Sequence, residues 1–184
     1  MKTEAWILGI AMFFAACGND RTTPRPEAHL RLEYPPNAYE KFSAPFPFTF
    51  DKSVYARTEQ TSDTTFNLYY PMMKARFYFT YSQVRNNLER LMTDAEKLTY
   101  KHAVKADDFI FEDYIDPSKK VYARINYVTG NAASPLQIQI TDSTKHFVTA
   151  SLYFHAVPNY DSIRPPLEYL KKDVKQMVES WHWK

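Results

Sequence analysis

Apolar and polar residues alternate most cleanly between Thr129 and Phe154. Leu136, Ile138 and Ile140 alternate with Gln137, Gln139 and Thr141, and further on Val148, Ala150, Leu152 and Phe154 alternate with Phe147, Thr149, Ser151 and Tyr153. Successive side chains of a strand point to opposite faces, so each run predicts one face in a core and one in water. Between the runs, Asp142-Ser143-Thr144-Lys145 carries side-chain oxygens that accept backbone N–H bonds locally, and the whole predicts a tight antiparallel hairpin.

The same period extends upstream. Val121, Ala123, Ile125 and Tyr127 alternate within Lys119 to Val128, Asp108 to Ile115 precedes them across the turn Asp116-Pro117-Ser118, and Gly130-Asn131 turns the chain into the hairpin. Strands from Asp108 to Phe154 therefore predict a continuous antiparallel meander. Phe66 to Tyr70 and Lys74 to Tyr81, joined at Pro71-Met72-Met73, predict a second hairpin with Phe77, Phe79 and Tyr81 on one face. Before it, His29 to Tyr34 and Phe46 to Phe50 read as strands among Pro35, Pro36, Pro45 and Pro47, which cannot donate to a ladder and mark edges or extended loops. Phe46, Phe48 and Phe50 share a face, the pattern of core packing.

Twice the period lengthens to that of a helix. Asn86-Asn87-Leu88-Glu89 offers an N-cap with a glutamate three positions later, and a helix is expected to about Lys105 with Leu88, Leu91, Met92, Ala95, Leu98 and His102 as its apolar stripe. After Pro158 to Ser162, Pro165 and Pro166 suit the first turn of a second helix, whose buried stripe is Leu167, Leu170, Val174, Met177, Val178 and Trp181. Strands, helix, four strands, helix describe an α+β fold, an antiparallel β-sheet with two main helices packed on it. By analogy alone the order is similar to the sandwich of the photosystem subunit PsbP and the Ran-binding protein Mog, an analogy silent on function.

The first residues follow neither period. A short basic start with Lys2, an apolar run from Ala5 to Phe14, and Phe14-Ala15-Ala16-Cys17 have the layout of a bacterial lipobox. The run is too short to span a bilayer, and the thiol of Cys17 is where a diacylglyceryl group would be attached before cleavage. Gly18 to Ala28 is polar, contains two prolines and predicts an extended tether reaching on the order of 35 Å. Three regions are expected: a signal peptide over 1–16, a lipidated cysteine and flexible tether over 17–28, and one α+β domain over 29–184. Each buried methylene of an acyl chain is worth about 0.8 kcal/mol, so the anchor would be lasting.

Composition narrows the chemistry. The chain has 184 residues, 45% hydrophobic and 16% aromatic, which suits one globular domain with a real core. Its net charge of +2 comes from 23 basic and 21 acidic residues, too balanced for a nucleic-acid footprint. Three glycines supply no phosphate-binding loop, and the histidines at 29, 102, 146, 155 and 182 form no close ligand pair on one element, so neither a metal nor another cofactor is expected. Asp142, Ser143 and His146 name the members of a hydrolytic triad, but in a tight turn they point apart, no glycine elbow strains the serine and no oxyanion hole is predicted.

Tyr100-Lys101-His102-Ala103-Val104-Lys105-Ala106, Gly130-Asn131-Ala132-Ala133-Ser134, Thr141 to Phe147, Ser151-Leu152-Tyr153-Phe154, Pro158 to Ser162 and the closing Trp183-Lys184 together resemble the gliding motility lipoprotein GldD family. The resemblance runs from the lipobox to the C-terminus and is strongest from Tyr100 onward. It implies a cell-envelope lipoprotein of Bacteroidota, needed for gliding and linked to type IX secretion, whose partners are the membrane through its N-terminal lipid and other envelope proteins of those machineries. It carries over no catalytic residue. An assembly or stabilising role is the leading expectation, with a periplasm-facing location. The contact residues expected are Asn131, Ser134, Asp142, Ser143, Lys145, His146 and Tyr160, all in turns. A lipid or small-ligand carrier, motivated by the aromatic content, is the alternative reading, and a hydrolase stands third.

Overall fold

The computed structural model describes residues 33–102, 106–155 and 160–184. The expected signal peptide, Cys17, the tether and the stretch from His29 to Leu32 lie outside the described residues, as do Lys105, where the first helix was expected to end, and Pro158-Asn159. In chain order the elements are β1 (Tyr39–Lys41), β2 (Phe48–Thr49), β3 (Asp51–Ser53), β4 (Arg57–Gln60), β5 (Thr65–Tyr70), β6 (Ala75–Gln83), α1 (Leu88–His102), β7 (Ala106–Asp116), β8 (Val121–Gly130), β9 (Leu136–Thr141), β10 (His146–Phe154), α2 (Tyr160–Glu179) and β11 (His182–Trp183).

Among the described residues the main sheet has seven strands in the order β4-β5-β6-β10-β9-β8-β7, all antiparallel. The meander from β7 to β10 forms as its alternation predicts. The hairpin of β5 and β6 turns through a single 3-10 turn at Pro71–Met73, with Lys74 at φ 48 behind it. It docks on β10 in a nine-residue register from His146 opposite Gln83 to Phe154 opposite Ala75. Glu33 and Tyr34, the described end of the expected first strand, are not in a strand. Phe46 to Phe50 contributes only the two-residue β2, which pairs with β11.

Leu136, Ile138, Ile140, Val148, Ala150 and Leu152 point to one face, where they are buried with Phe66, Leu68, Phe77 and Phe79. Over this face lie α2 and a stack of aromatic rings. Phe50 lies parallel to Trp181 at 4.9 Å, Phe48 stacks on Trp181 at 4.6 Å, and Phe66 on Phe79 at 4.5 Å. The stripe Leu167, Leu170, Val174, Met177, Val178 and Trp181 is buried as its spacing requires. Beside it on α2, Asp173 is buried and accepts a hydrogen bond from Asn37 Nδ2 at 2.8 Å, which ties the first described segment to the helix. Burial pushes the Asp173 carboxyl above the usual range, and the hydrogen bonds from Asn37 and neighbouring hydroxyls oppose it.

Both helices begin differently from expectation. The first starts at Leu88 after Asn87, and the Asn87 Oδ1 accepts the Arg85 N–H at 2.7 Å instead of a helical donor. The second starts at Tyr160, so Pro165 and Pro166 lie inside it and each removes one intrahelical bond. Its N-terminus is reached early because the Asn131 Oδ1 accepts the Tyr160 N–H at 3.2 Å.

The larger correction concerns the first helix's apolar stripe. Met92 and Leu98 are 42% and 46% exposed, Leu88, Leu91 and Ala95 are half-buried, and the buried residue is Thr99. The cause lies in the sheet. Strands β9 and β10 turn Gln137, Gln139, Thr149 and Ser151 toward α1, and Thr99 Oγ1 donates to Gln137 Oε1. A polar sheet face cannot bury an apolar stripe, so α1 rides over a groove of about 260 Å³.

Gly130 ends β8 at φ +86, opposite a bulge that leaves Asp107 as the extra residue of β7. A Cβ here would lie 2.7 Å from Asp107 Oδ2 and 2.9 Å from the Asp107 backbone nitrogen. Gly130→Ala meets both the left-handed penalty and this collision, and we expect a loss of about 2 kcal/mol in urea unfolding. A change within 0.3 kcal/mol of wild type, about the scatter of such measurements, would show that the strand end relaxes freely.

Candidate functional site

The expected contact residues fall into two groups at opposite ends of β9, separated by six residues of strand, about 20 Å. At one end Asn131 fixes the start of α2 through Tyr160. Ser134 is fully buried and its hydroxyl donates to the Leu136 carbonyl at 3.2 Å, so it shapes the loop and presents nothing to a partner.

The other end is the turn between β9 and β10, and Asp142 builds it. Its Oδ1 accepts the backbone N–H groups of Thr144, Lys145 and His146 at 3.0, 2.7 and 2.8 Å, and its Oδ2 accepts the Thr144 hydroxyl at 2.9 Å. Burial, at 8% exposure, raises the carboxyl's pKa, but these four donors outweigh it and hold the group below its ordinary value. Ser143 adopts φ +66, and its N–H donates to Thr141 Oγ1 at 2.9 Å while that hydroxyl donates to the His146 carbonyl at 2.7 Å. Ser143, Thr144 and Lys145 are left exposed at the tip of a closely bonded frame.

Behind the tip stands an aromatic shelf. His146 Nδ1 lies 2.9 Å from the Tyr81 hydroxyl, and the imidazole stacks on Trp183 at 5.2 Å. Trp183 in turn donates from Nε1 to the Lys120 carbonyl at 2.9 Å. Burial, then the charge of Asp142, pushes the Tyr81 phenol above its ordinary value. Within the triad-like trio, the Asp142 carboxylate is bonded to the turn, where it accepts the backbone N–H of His146, the His146 imidazole faces Tyr81, and the Ser143 side chain is exposed at the tip.

Val84 joins this end by donating its N–H to the Lys145 carbonyl at 2.8 Å, which places the exposed Arg85 nearby in the chain. Tyr81, Trp183 and Arg85 were absent from the expected surface. No local signal marks them, because Tyr81 and Trp183 meet the turn, and Arg85 is brought to its end of the sheet, only once β6 and β10 are in register and β11 has closed against β2.

Among the described residues no group of three or more His, Cys, Asp or Glu side chains could hold a metal ion, and no helix is long and apolar enough to cross a membrane. The family model described as gliding motility lipoprotein GldD matches residues 19–183 of the chain. No curated protein matches it.

Proposed function

This chain belongs to the gliding motility lipoprotein GldD family, and from that membership we propose that it is a noncatalytic assembly or stabilising partner for gliding motility and type IX secretion proteins of the cell envelope. A lipoprotein of this family is anchored to a membrane. In our reading acyl chains on Cys17 provide the anchor, residues 18–28 the spacer, and the domain faces the periplasm.

The observation that carries this reading is the β9–β10 turn. Its exposed tip, Ser143 to Lys145, is held by bonds from Asp142 and Thr141 and backed by the His146–Trp183 stack. A loop fixed before binding loses little entropy on contact, which suits recognition. Ligand carriage between the sheet and α2 is weakened by the filling of the aromatic layer, where Phe42, Phe48, Phe50, Phe66 and Trp181 pack ring on ring.

The test is the paired substitution Ser143→Glu and Lys145→Glu in the full-length lipoprotein. Both side chains are exposed, but position 143 is at φ +66 beside the Asp142 carboxylate, so a cost of about 1 kcal/mol is expected and a thermal melt checks that the domain stays folded. Recovery of envelope motility proteins on detergent-solubilised bait should fall to background, and colony spreading should stop. Normal recovery with normal spreading would remove the turn from the partner surface.

A further inference from the structure

The sheet ends in two edges of opposite character. The β4 edge is four residues long, Arg57–Gln60, without an apolar side chain. The β7 edge runs for eleven residues, Ala106–Asp116, about 37 Å of strand, and among the described residues nothing pairs with its outer side. Natural edges are kept short, charged, bulged or covered because a free row of N–H and C=O groups templates another strand. β4 is short and polar, whereas β7 carries acids and a bulge at Asp107 yet is long and leaves large apolar side chains exposed.

Three large apolar residues of β7 are exposed, Ile110 at 52%, Phe111 at 51% and Ile115 at 64%. The register places them on both faces. Ile110 lies opposite Tyr127 on the α2 side, and Phe111 and Ile115 lie opposite Asn126 and Tyr122 on the α1 side. Phe111 also borders a small groove with the exposed Met92 and Tyr100 of α1. A surface needing cover on both faces of one edge matches an added strand, whose side chains alternate between the two.

Charge selects the kind of strand. Asp107, Asp108, Glu112, Asp113 and Asp116 make five acids in β7, with no base. Arg124 engages Asp113 through two bonds at 2.7 and 3.0 Å, and Lys119 reaches Asp116 at 3.4 Å. That leaves Asp107, Asp108 and Glu112 without a cationic partner among the ion pairs of the described residues. Of the three lysines across the groove on α2, Lys171 bonds Glu168 at 2.7 Å and Lys175 lies 3.8 Å from Glu179, while the exposed Lys172 is in none of the ion pairs of the described residues. A second copy would bring its own five acids alongside, and like charges on adjoining strands repel.

We propose that the free edge of β7 takes an extended segment of a partner protein as an eighth strand, one that alternates Lys or Arg with apolar residues. The ladder would supply affinity, Phe111 and Ile115 on the α1 side would seat the apolar positions, and Asp108 and Glu112 on the other face would select the basic ones, whose aliphatic stems would cover Ile110 between them. This surface is separate from the β9–β10 turn and stands without it.

The experiment uses the full-length protein in detergent with two synthetic peptides long enough to span β7, one alternating lysine with valine and one glutamate with valine. The lysine peptide should slow amide exchange in β7 and leave β4 unchanged. Asp108→Lys with Glu112→Lys should weaken its binding at least about tenfold and bring in the glutamate peptide. Should that variant melt early, raising salt on the wild-type protein gives the same reading, since screening must weaken the lysine peptide. The proposal is overturned by equal affinity for the two peptides, by unchanged exchange in β7, or by a protein that sediments as a dimer with β7 already protected.

Discussion

Replacing Trp181 by alanine is expected to lower the melting temperature of the domain by about 10 °C. Trp181 has no exposed surface, lies parallel to Phe50 at 4.9 Å, stacks on Phe48 at 4.6 Å and meets Trp183 edge-on at 5.6 Å. Truncating a buried tryptophan costs about 3–5 kcal/mol through lost transfer energy and the cavity left behind. For a domain of roughly this size, each kcal/mol shifts the midpoint by about 2–4 °C. The loss should be accompanied by loosening of the C-terminal β11, because Trp183 packs against the same rings. Trp181→Phe keeps a ring in the stack and removes an indole N–H that is buried without an acceptor among the described residues, so it should cost less than half as much. Thermal melts by circular dichroism decide the matter. Equal losses for alanine and phenylalanine would show that a smaller ring at this position recovers none of the stacking or packing that the indole provides.

The second large effect belongs to Asp142. Alanine there strips the acceptor from three backbone N–H groups and one hydroxyl, and water can reach the exposed Thr144 and Lys145 but serves His146 less well. We expect a loss of about 2–3 kcal/mol, with asparagine, which retains one acceptor oxygen, losing about half of that. The pH dependence follows from the lowered carboxyl pKa. In the folded state Asp142 holds its proton more weakly than in the unfolded chain, so its stabilisation is fully present above the unfolded value near 4. As pH falls through the lower folded value that stabilisation is lost. Wild type and Asp142→Asn should therefore converge at acid pH and separate above about pH 5 in urea unfolding. A gap that stays constant with pH would mean that the charge on Asp142 plays no part in holding the turn.

Much of this architecture is legible in the residues themselves. The alternation of Leu136, Ile138 and Ile140 with Gln137, Gln139 and Thr141 specifies both strand and register, because one face of the sheet is covered by a packed core. The stripe on α2 reads correctly for the same reason. The stripe on α1 has the right period and the wrong environment, since periodicity cannot report that Gln137 and Gln139 lie beneath it. Prolines at 165 and 166 point to a helix start, yet a capping contact from Asn131 extends the helix upstream, and that contact joins residues 29 positions apart.

The site divides along the same line. Asp142 as a turn builder follows from its own chemistry and the next four residues. The burial of Ser134 and the shelf of Tyr81, His146 and Trp183 do not, because they depend on how distant strands meet. The β7 edge was equally hidden. Ile110, Phe111 and Ile115 look like ordinary core positions until the strand order leaves β7 at the margin.

In the proposed role this lipoprotein works by contact through the rigid tip between β9 and β10. The most direct test places a photoreactive amino acid at Lys145 in living cells, with the same probe at the exposed Lys74, which follows the β5–β6 turn at the far end of β10 and away from the β7 edge, as comparison. Adducts with envelope motility or secretion proteins are expected from position 145, none of them from position 74, and their loss in Cys17→Ser. Position 145 yielding no adduct, or only those that position 74 yields, would remove the tip from the proposed role.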